Sequence, residues 1–348
     1  MRRCLILACA VAALLIAPLV WAQTTTGAIR GIVTDESGAV LPGVTVTLKG
    51  PATAGTPTTT TNEAGVYRFP NLAPGVYQIT TELSGFATST QTGIQVSLGG
   101  TSEVGVQLKI STQQESVTVT AMSPVVDATT TQVATNYSRE WVANAPVRRF
   151  TFFDLINAAP GVSASTSTSS RSQSFGSATN ENVYLIDGTD FTAPLTGAAW
   201  PWPNTDAIEE IQVLSLGAPA DYGNLGGAVF NVVTRQGSNT FHGDANFYFQ
   251  NQSLTGRNTT DAQDGKQPYH RDEFKDTTLQ LGGPVMKDKL WFFGSFQYQK
   301  DADSQPGTDP AFPARSSAKR YFWKVNYPLN QQNRFHDPAR TALEHARP

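Results

Sequence analysis

The chain has 348 residues, 15% of them charged, with 25 Lys and Arg against 28 Asp and Glu for a formal charge of -3. That balance argues against a nucleic-acid partner. Cys4 and Cys9 lie in the first ten residues, and His242, His270, His336 and His345 have no metal-ligand spacing, which excludes thiolate zinc sites, cysteine catalysis and a disulfide framework for the rest of the chain.

The N-terminus reads as an export signal over residues 1–22. Arg2 and Arg3 form a basic start, Leu5 to Val20 is almost wholly apolar, and Val20-Trp21-Ala22 places small residues where cleavage before Gln23 is expected. The apolar run is marginal for a membrane-spanning helix. Both cysteines leave with the signal, so stability must come from sheet packing.

Residues 26–110 predict a seven-stranded β-sandwich. Short runs such as Ala28–Thr34, Val44–Leu48, Val66–Phe69, Val76–Thr80, Ile94–Leu98 and Val104–Ile110 alternate in character and are separated by turn residues, including Asp35-Glu36-Ser37-Gly38 and Leu72-Ala73-Pro74-Gly75. The stretches Gly31–Asp35, Leu41–Val46, Thr61–Tyr67 and Leu72–Tyr77 make this segment resemble the carboxypeptidase regulatory-like domain, a prealbumin-like sandwich. The resemblance does not imply peptidase activity, because the segment holds no histidine. Some relatives of this fold bind carbohydrate; Tyr67, Phe69, Tyr77 and Phe86 could form a sugar platform, although core packing explains them better.

Residues 111–124 form a linker. Within it Ser116, Val117, Thr118, Val119, Thr120 and Ala121 alternate Val and Thr, as an extended strand requires. They resemble the segment through which outer-membrane transporters couple to the TonB energy system, where backbone pairing with a partner strand carries the pull. A plain linker strand would read the same way.

Residues 125–238 predict an α/β unit. Asn136–Asn157 is the one helical stretch after the signal, broken by Pro146. Val183–Ile186 leads into the turn Asp187-Gly188, Ala207–Leu214 reads as a helical turn entering a strand, and the glycine-rich run ending at Ala228 precedes the strand Val229–Thr234. The motifs carrying Asp187, Gly188, Asp206, Glu209, Glu210, Tyr222, Gly223, Gly226 and Gly227 make this region resemble the plug domain of TonB-dependent receptors, with the Oar-like subgroup most similar. Paired glycines at 226 and 227 permit positive φ or close approach, and no Gly-Lys-Ser/Thr follows to make a phosphate loop. Asp187, Asp206, Glu209, Glu210 and Asp221 lack a positioned base, nucleophile or metal ligands, so no enzyme is expected.

Residues 239–348 predict the first four or so antiparallel strands of an outer-membrane β-barrel. Phe241, Phe247 and Phe249 share one parity with Gly243 and Ala245, opposite His242, Asp244, Asn246, Tyr248 and Gln250. Leu279 and Leu281 oppose Asp276, Thr278 and Gln280; Phe292 and Phe296 oppose Ser295 and Gln297, with Trp291 and Phe293 blurring the contrast; Tyr321, Trp323, Val325 and Tyr327 oppose Arg320, Lys324 and Asn326. Phe241, Phe247, Phe249, Phe292 and Phe296 are therefore the expected lipid-facing residues. Trp291 and Trp323 suit either an aromatic girdle or a core. Connections alternate long (251–273), short (284–288), long (301–318) and short (328–333), the rhythm of such barrels.

The fold expected is mainly β: sandwich, α/β plug, and an incomplete barrel. Receptors of the resembled family enclose the plug in a barrel of about 22 strands, so the chain is expected to be a fragment of a longer protein, the product of a truncated gene or half of a split reading frame, with 335–348 a polar remainder. The resemblance implies no cofactor. It implies an outer-membrane location with the sandwich in the periplasm, contact with outer-membrane lipid and a TonB-type energy-coupling partner. It also implies uptake of a bulky substrate, for which carbohydrate and peptide are candidate classes. The competing reading is an exported carbohydrate-binding or structural envelope protein.

Overall fold

The computed structural model describes residues 26–51, 53, 55–111, 116–120, 133–147, 149, 151–164, 171–200, 202–216, 218, 222–223, 225–256, 270–304, 309, 311–328, 334–336 and 342–346. The expected export signal, Ala121 and Asp221 lie outside these residues.

Alternation of apolar residues and frequent turns produce a two-sheet sandwich at the start. Strand β1 (Gly27–Asp35) pairs antiparallel with β4 (Val66–Leu72) and parallel with two short strands, β7 (Thr101–Glu103) and β8 (Val106–Leu108). The facing sheet has the order β3 (Thr58–Thr60), β2 (Thr45–Lys49), β5 (Gly75–Glu82), β6 (Thr88–Val96), β9 (Ser116–Thr120). Ile29, Val33, Val46, Leu48, Ile79, Ile94, Val96 and Leu108 fill the space between them. Tyr67, Phe69 and Tyr77 lie in this core, with Phe86 half-buried beside it, and do not form a surface platform. The Tyr67 hydroxyl donates to the Val104 carbonyl at 2.6 Å and that of Tyr77 to Ala73 at 2.8 Å, so both rings are buried with their polar tips satisfied. Sequence periodicity reads Val104–Ile110 as one strand. The structure keeps only the short β8 within that run, has β7 just before it, adds both to β1, and begins β6 well before Ile94.

The second unit is a five-stranded sheet with two short helices on one face. Its order is β10 (Val133–Ser138), β15 (Ile208–Leu216), β16 (Val229–Thr234), β13 (Val183–Ile186), β14 (Thr189–Asp190). A separate hairpin, β11 (Val162–Ala164) and β12 (Ser172–Ser174), flanks it. Asn136 to Ser138, expected to be helical, are strand: Asn136 and Tyr137 pair with Gln212 and Ile211. The helix begins only at Arg139, where the Ser138 side chain caps the Trp141 amide, and ends at Asn144 before Pro146. The second helix, Phe152–Ile156, starts with a reciprocal Thr151/Asp154 capping box. Tertiary pairing thus overrides the local pattern in the first half of the stretch. Phe152, Phe153, Leu155 and Ile156 press onto Tyr184, Ile211, Val213, Phe230 and Val232.

The third unit is an antiparallel sheet, β17 (His242–Gln250), β18 (Arg271–Met286), β19 (Leu290–Asp303) and β20 (Ala314–Pro328). Two short strands, β21 (Arg334–His336) and β22 (Ala342–Ala346), pair with the far edge of β20, so part of the expected polar remainder joins the sheet. The strands also run further than their apolar alternation. Past it, pairing continues through charged neighbours: Arg271 reaches Asp301 at 2.9 Å, and Glu273 binds Lys275 and Lys300. One face exposes Phe241, Phe247, Phe249, Leu279, Leu281, Tyr321, Trp323 and Tyr327, with Phe292 and Phe296 half-buried among them. The other buries Asp276, Thr278, Gln280, Ser295, Gln297, Gln299, Arg320, Lys324 and Asn326. Trp291 belongs to the buried face, 2% exposed, and Asn239 accepts its indole N–H at 2.7 Å; Trp323 lies on the exposed face.

Candidate functional site

The buried polar face of the third sheet meets the α/β unit, and most of the motif residues gather at this junction. Asp187 and Gly188 form the two-residue turn between β13 and β14, with φ of 49° and 75°. Both angles lie in the left-handed region, where an Asp-Gly pair suits a tight hairpin. The turn points the Asp187 carboxylate at Thr234, whose amide donates at 3.0 Å and whose hydroxyl also donates, and at the Lys324 ammonium 2.8 Å away on β20. The Lys324 side chain is 5% exposed and that of Asp187 12%, so the pair is largely withdrawn from water.

A second tie runs through Arg235, just past β16. Its guanidinium binds Asp244 of β17 and Gln280 of β18, and lies 5.2 Å from the Phe293 ring centre. Asp206 makes the third tie. It sits in a 3-10 turn (Thr205–Ala207) capped by Asn204 and accepts from Arg149 at 2.6 Å and from the Tyr248 hydroxyl at 3.2 Å. Arg149 also lies over the Tyr248 ring. Asn204 itself donates to Ser295 at 3.0 Å. The positions of Arg149, Arg235 and Asn204 escape a sequence reading, since each looks like an ordinary loop residue until the sheet is in place.

Glu209 borders this interface, and Glu210 leads away from it. Glu209 sits near Arg139, Arg235, His242 and Lys324; desolvation raises its carboxyl pKa, and the positive charge of Arg139, Arg235 and Lys324 opposes the rise. It lines a cleft where all three units meet, bounded by Pro51 and Pro74 of the sandwich, Asp187 and Arg235 of the α/β unit, and His242 and Lys324 of the third sheet. Glu210 faces the sandwich. Its carboxylate oxygens lie 3.0 and 3.2 Å from the Leu98 amide, which donates to them, while Gln212 donates to the Leu98 carbonyl at 2.8 Å. Both side chains come from the face of β15 opposite Ile211 and Val213. Glu210 is 3% exposed, and burial pushes its carboxyl up to about 7, with the Leu98 hydrogen bond resisting and Glu209 adding to the rise.

The glycine motif is structural in its geometry. A Cβ on Gly227 would lie 2.2 Å from the Asn182 Oδ1 and 2.7 Å from the Ser177 Oγ, and the amides of Gly226 and Gly227 both donate to the Glu181 carbonyl. Close approach, not positive φ, accounts for the pair. Tyr222 packs against the small apolar cluster of Val183, Leu185, Leu214 and Val229, and Gly223 faces open space. Asp187, Asp206 and Glu210 thus each fasten one unit to another. Among the described residues no three His, Cys, Asp or Glu gather as a metal site.

Residues 28–109 match the carboxypeptidase regulatory-like domain, and residues 233–343 match a family described as an outer membrane beta barrel domain. The chain is 29% identical to the TonB-dependent transporter Oar of Myxococcus xanthus over 92% of its own length and 34% of the relative's. It therefore spans about a third of that relative. Among solved structures, the siderophore receptor PirA of Pseudomonas aeruginosa is 17% identical with a TM-score of 0.43, covering 57% of this chain and 31% of that one. The outer membrane transporter YddB of Escherichia coli is 14% identical with a TM-score of 0.45 over the same shares.

The Glu210 contact generates a pH prediction. A buried carboxyl with a raised pKa holds the sandwich most firmly when neutral, below its ordinary value of 4.5, and less firmly as pH rises through about 7. Protection of the Leu98 amide from hydrogen exchange, corrected for intrinsic rate, should therefore fall between about pH 5 and pH 8. In Glu210→Gln, which keeps an acceptor and loses the charge, the profile should be flat; a wild-type profile equally flat would contradict the assignment.

Proposed function

We propose that this chain, an Oar-like TonB-dependent receptor region with a regulatory-like domain and incoming barrel strands, belongs to an outer-membrane transporter for a bulky substrate, energised from the periplasm. Such receptors are a transport class, not a catalytic one. The observation that carries the reading is the opposite character of the two faces of the barrel sheet, with the α/β unit docked on the polar one. A soluble sandwich would bury its phenylalanine face and wet its glutamines; here the aromatic face is open and the glutamines are covered.

In this reading residues 125–238 are the plug. Hydrogen bonds and ion pairs hold it to the wall, together with a small apolar contact of Ala207 with Phe293 and Phe322. Polar ties of this kind exchange readily for water, which suits a plug that must shift to let substrate pass. The sandwich, residues 26–110, stands on the periplasmic side. Ser116 to Ala121 is the coupling segment that a TonB-type protein grips by strand addition. The substrate is carbohydrate or peptide in class.

Two experiments test this. The face carrying Phe241, Phe247, Phe249, Phe292 and Phe296 is the lipid face, so Phe247→Arg in lipid-refolded protein should destabilise by about 2–4 kcal/mol in urea unfolding, and Asn246→Arg much less. Equal losses would reject the face assignment. For the coupling segment, a photo-crosslinker placed at Thr118 in living cells should form an adduct with the TonB-type protein. Val119→Pro removes an amide donor and restrains φ, and at equal surface abundance it should remove the adduct. An adduct that survives the proline, or none from either protein, would reduce the segment to a linker.

A further inference from the structure

Ser116–Thr120 does not hang free between the first two units. It is β9, the edge strand of a sandwich sheet, and runs parallel to β6 in a continuous five-residue register from Thr88 opposite Ser116 to Thr92 opposite Thr120. The chain is led there by local pairing: Ser111 donates its amide to the Gly85 carbonyl at 3.2 Å, and Ile110 bridges Phe86. The same sandwich is tied to the plug unit by the turn after β6, where Leu98 meets Glu210 and Gln212. β6 therefore has its host edge and its plug contact on one continuous stretch, Thr88 to Leu98.

We propose that the regulatory-like sandwich is a holder for the coupling segment, storing it as a strand on β6 and releasing it when the energy-coupling partner engages. The inference rests on the coupling assignment made above. Its physical basis is competition for backbone groups. A strand recognised by main-chain pairing presents N–H and C=O groups on two edges, and β6 occupies one of them along the whole segment. A partner that draws the segment away must first replace that ladder. Binding is then reduced by the fraction of molecules in which the segment is off the sandwich. Composition is consistent with a reversible contact: Thr88, Ser89, Thr90, Gln91 and Thr92 give β6 a polar host edge, and no large apolar side chain there anchors the guest. The sandwich consequently has a task that needs no ligand of its own.

The test compares a synthetic peptide of residues 114–122 with the full chain in detergent, both titrated with the purified periplasmic domain of the TonB-type protein from the same cell. The peptide should bind about tenfold more tightly than the full chain. Thr90 and Thr118 are opposite each other in the register, so oxidised Thr90→Cys/Thr118→Cys should lose binding and regain the wild-type affinity on reduction. A peptide that does not bind the domain overturns the coupling assignment itself. A peptide that binds no more tightly than the full chain, with the oxidised variant binding equally well, leaves coupling standing and overturns storage. Hydrogen exchange of the unmodified chain reads the same point without substitutions. The amides of Ser116–Thr120 that face β6 should be protected well above the rate of an unstructured peptide, and exchange at that rate by all five would refute the holder.

Discussion

Each strand of the barrel sheet has two unlike faces, and the polar one, which water would otherwise solvate, is covered here by the α/β unit. Asp276, Gln280, Gln297, Arg320 and Lys324 are all nearly inaccessible. Within the wall they pair with one another: Gln297 donates to Asp276 at 2.8 and 2.9 Å, and Arg320 donates to Gln297 at 2.8 Å. Among the described residues, no such neighbour in the wall pairs with Lys324. Its partners, Asp187 and Thr234, come from the α/β unit. A buried ammonium without its carboxylate would be strongly unfavourable, so the wall and the unit that fills it are structurally interdependent.

The α/β unit shows the same logic from its own side. Its helices cover one face of the sheet with aromatic and aliphatic side chains, leaving the strand ends and turns to carry charge. Asp187, Asp206 and Arg235 all lie at ends of elements, where the backbone is already turning and a side chain can reach outward. β15 joins the interfaces: the turn before it contacts β17 and β19, its outer face holds Leu98, and its inner face packs under the helices. A displacement of the sandwich would therefore be felt first at Glu210 and Gln212, on the strand next to Asp206.

Much of this was legible in the residues. Period-two alternation separates the two faces of every barrel strand, and turn residues mark the sandwich, because both signals are local. What escapes is set by distant partners. Asn136 and Tyr137 look helical beside Trp141, yet they pair with β15, more than seventy residues on. Trp291 suits a membrane girdle by residue type, but its parity turns it inward to Asn239. Strand length is underread because charged pairs such as Arg271 with Asp301 extend the ladder without an apolar signal. The contacts of Glu210 with Leu98 and of Ser116–Thr120 with β6 involve backbone atoms, which leave no side-chain signature.

The most direct test of the interdependence of wall and plug is a double-mutant cycle on the Asp187–Lys324 pair. Lys324→Met alone, by stranding a buried carboxylate, should destabilise lipid-refolded protein by about 3–5 kcal/mol. Asp187→Asn alone should be destabilising as well, by leaving the ammonium without its counter-charge. The double variant should recover much of the loss, giving a coupling energy of at least about 1 kcal/mol. Strictly additive losses would contradict the account, because they would mean that the plug and the wall are held together by something other than the charges their strands bring into contact.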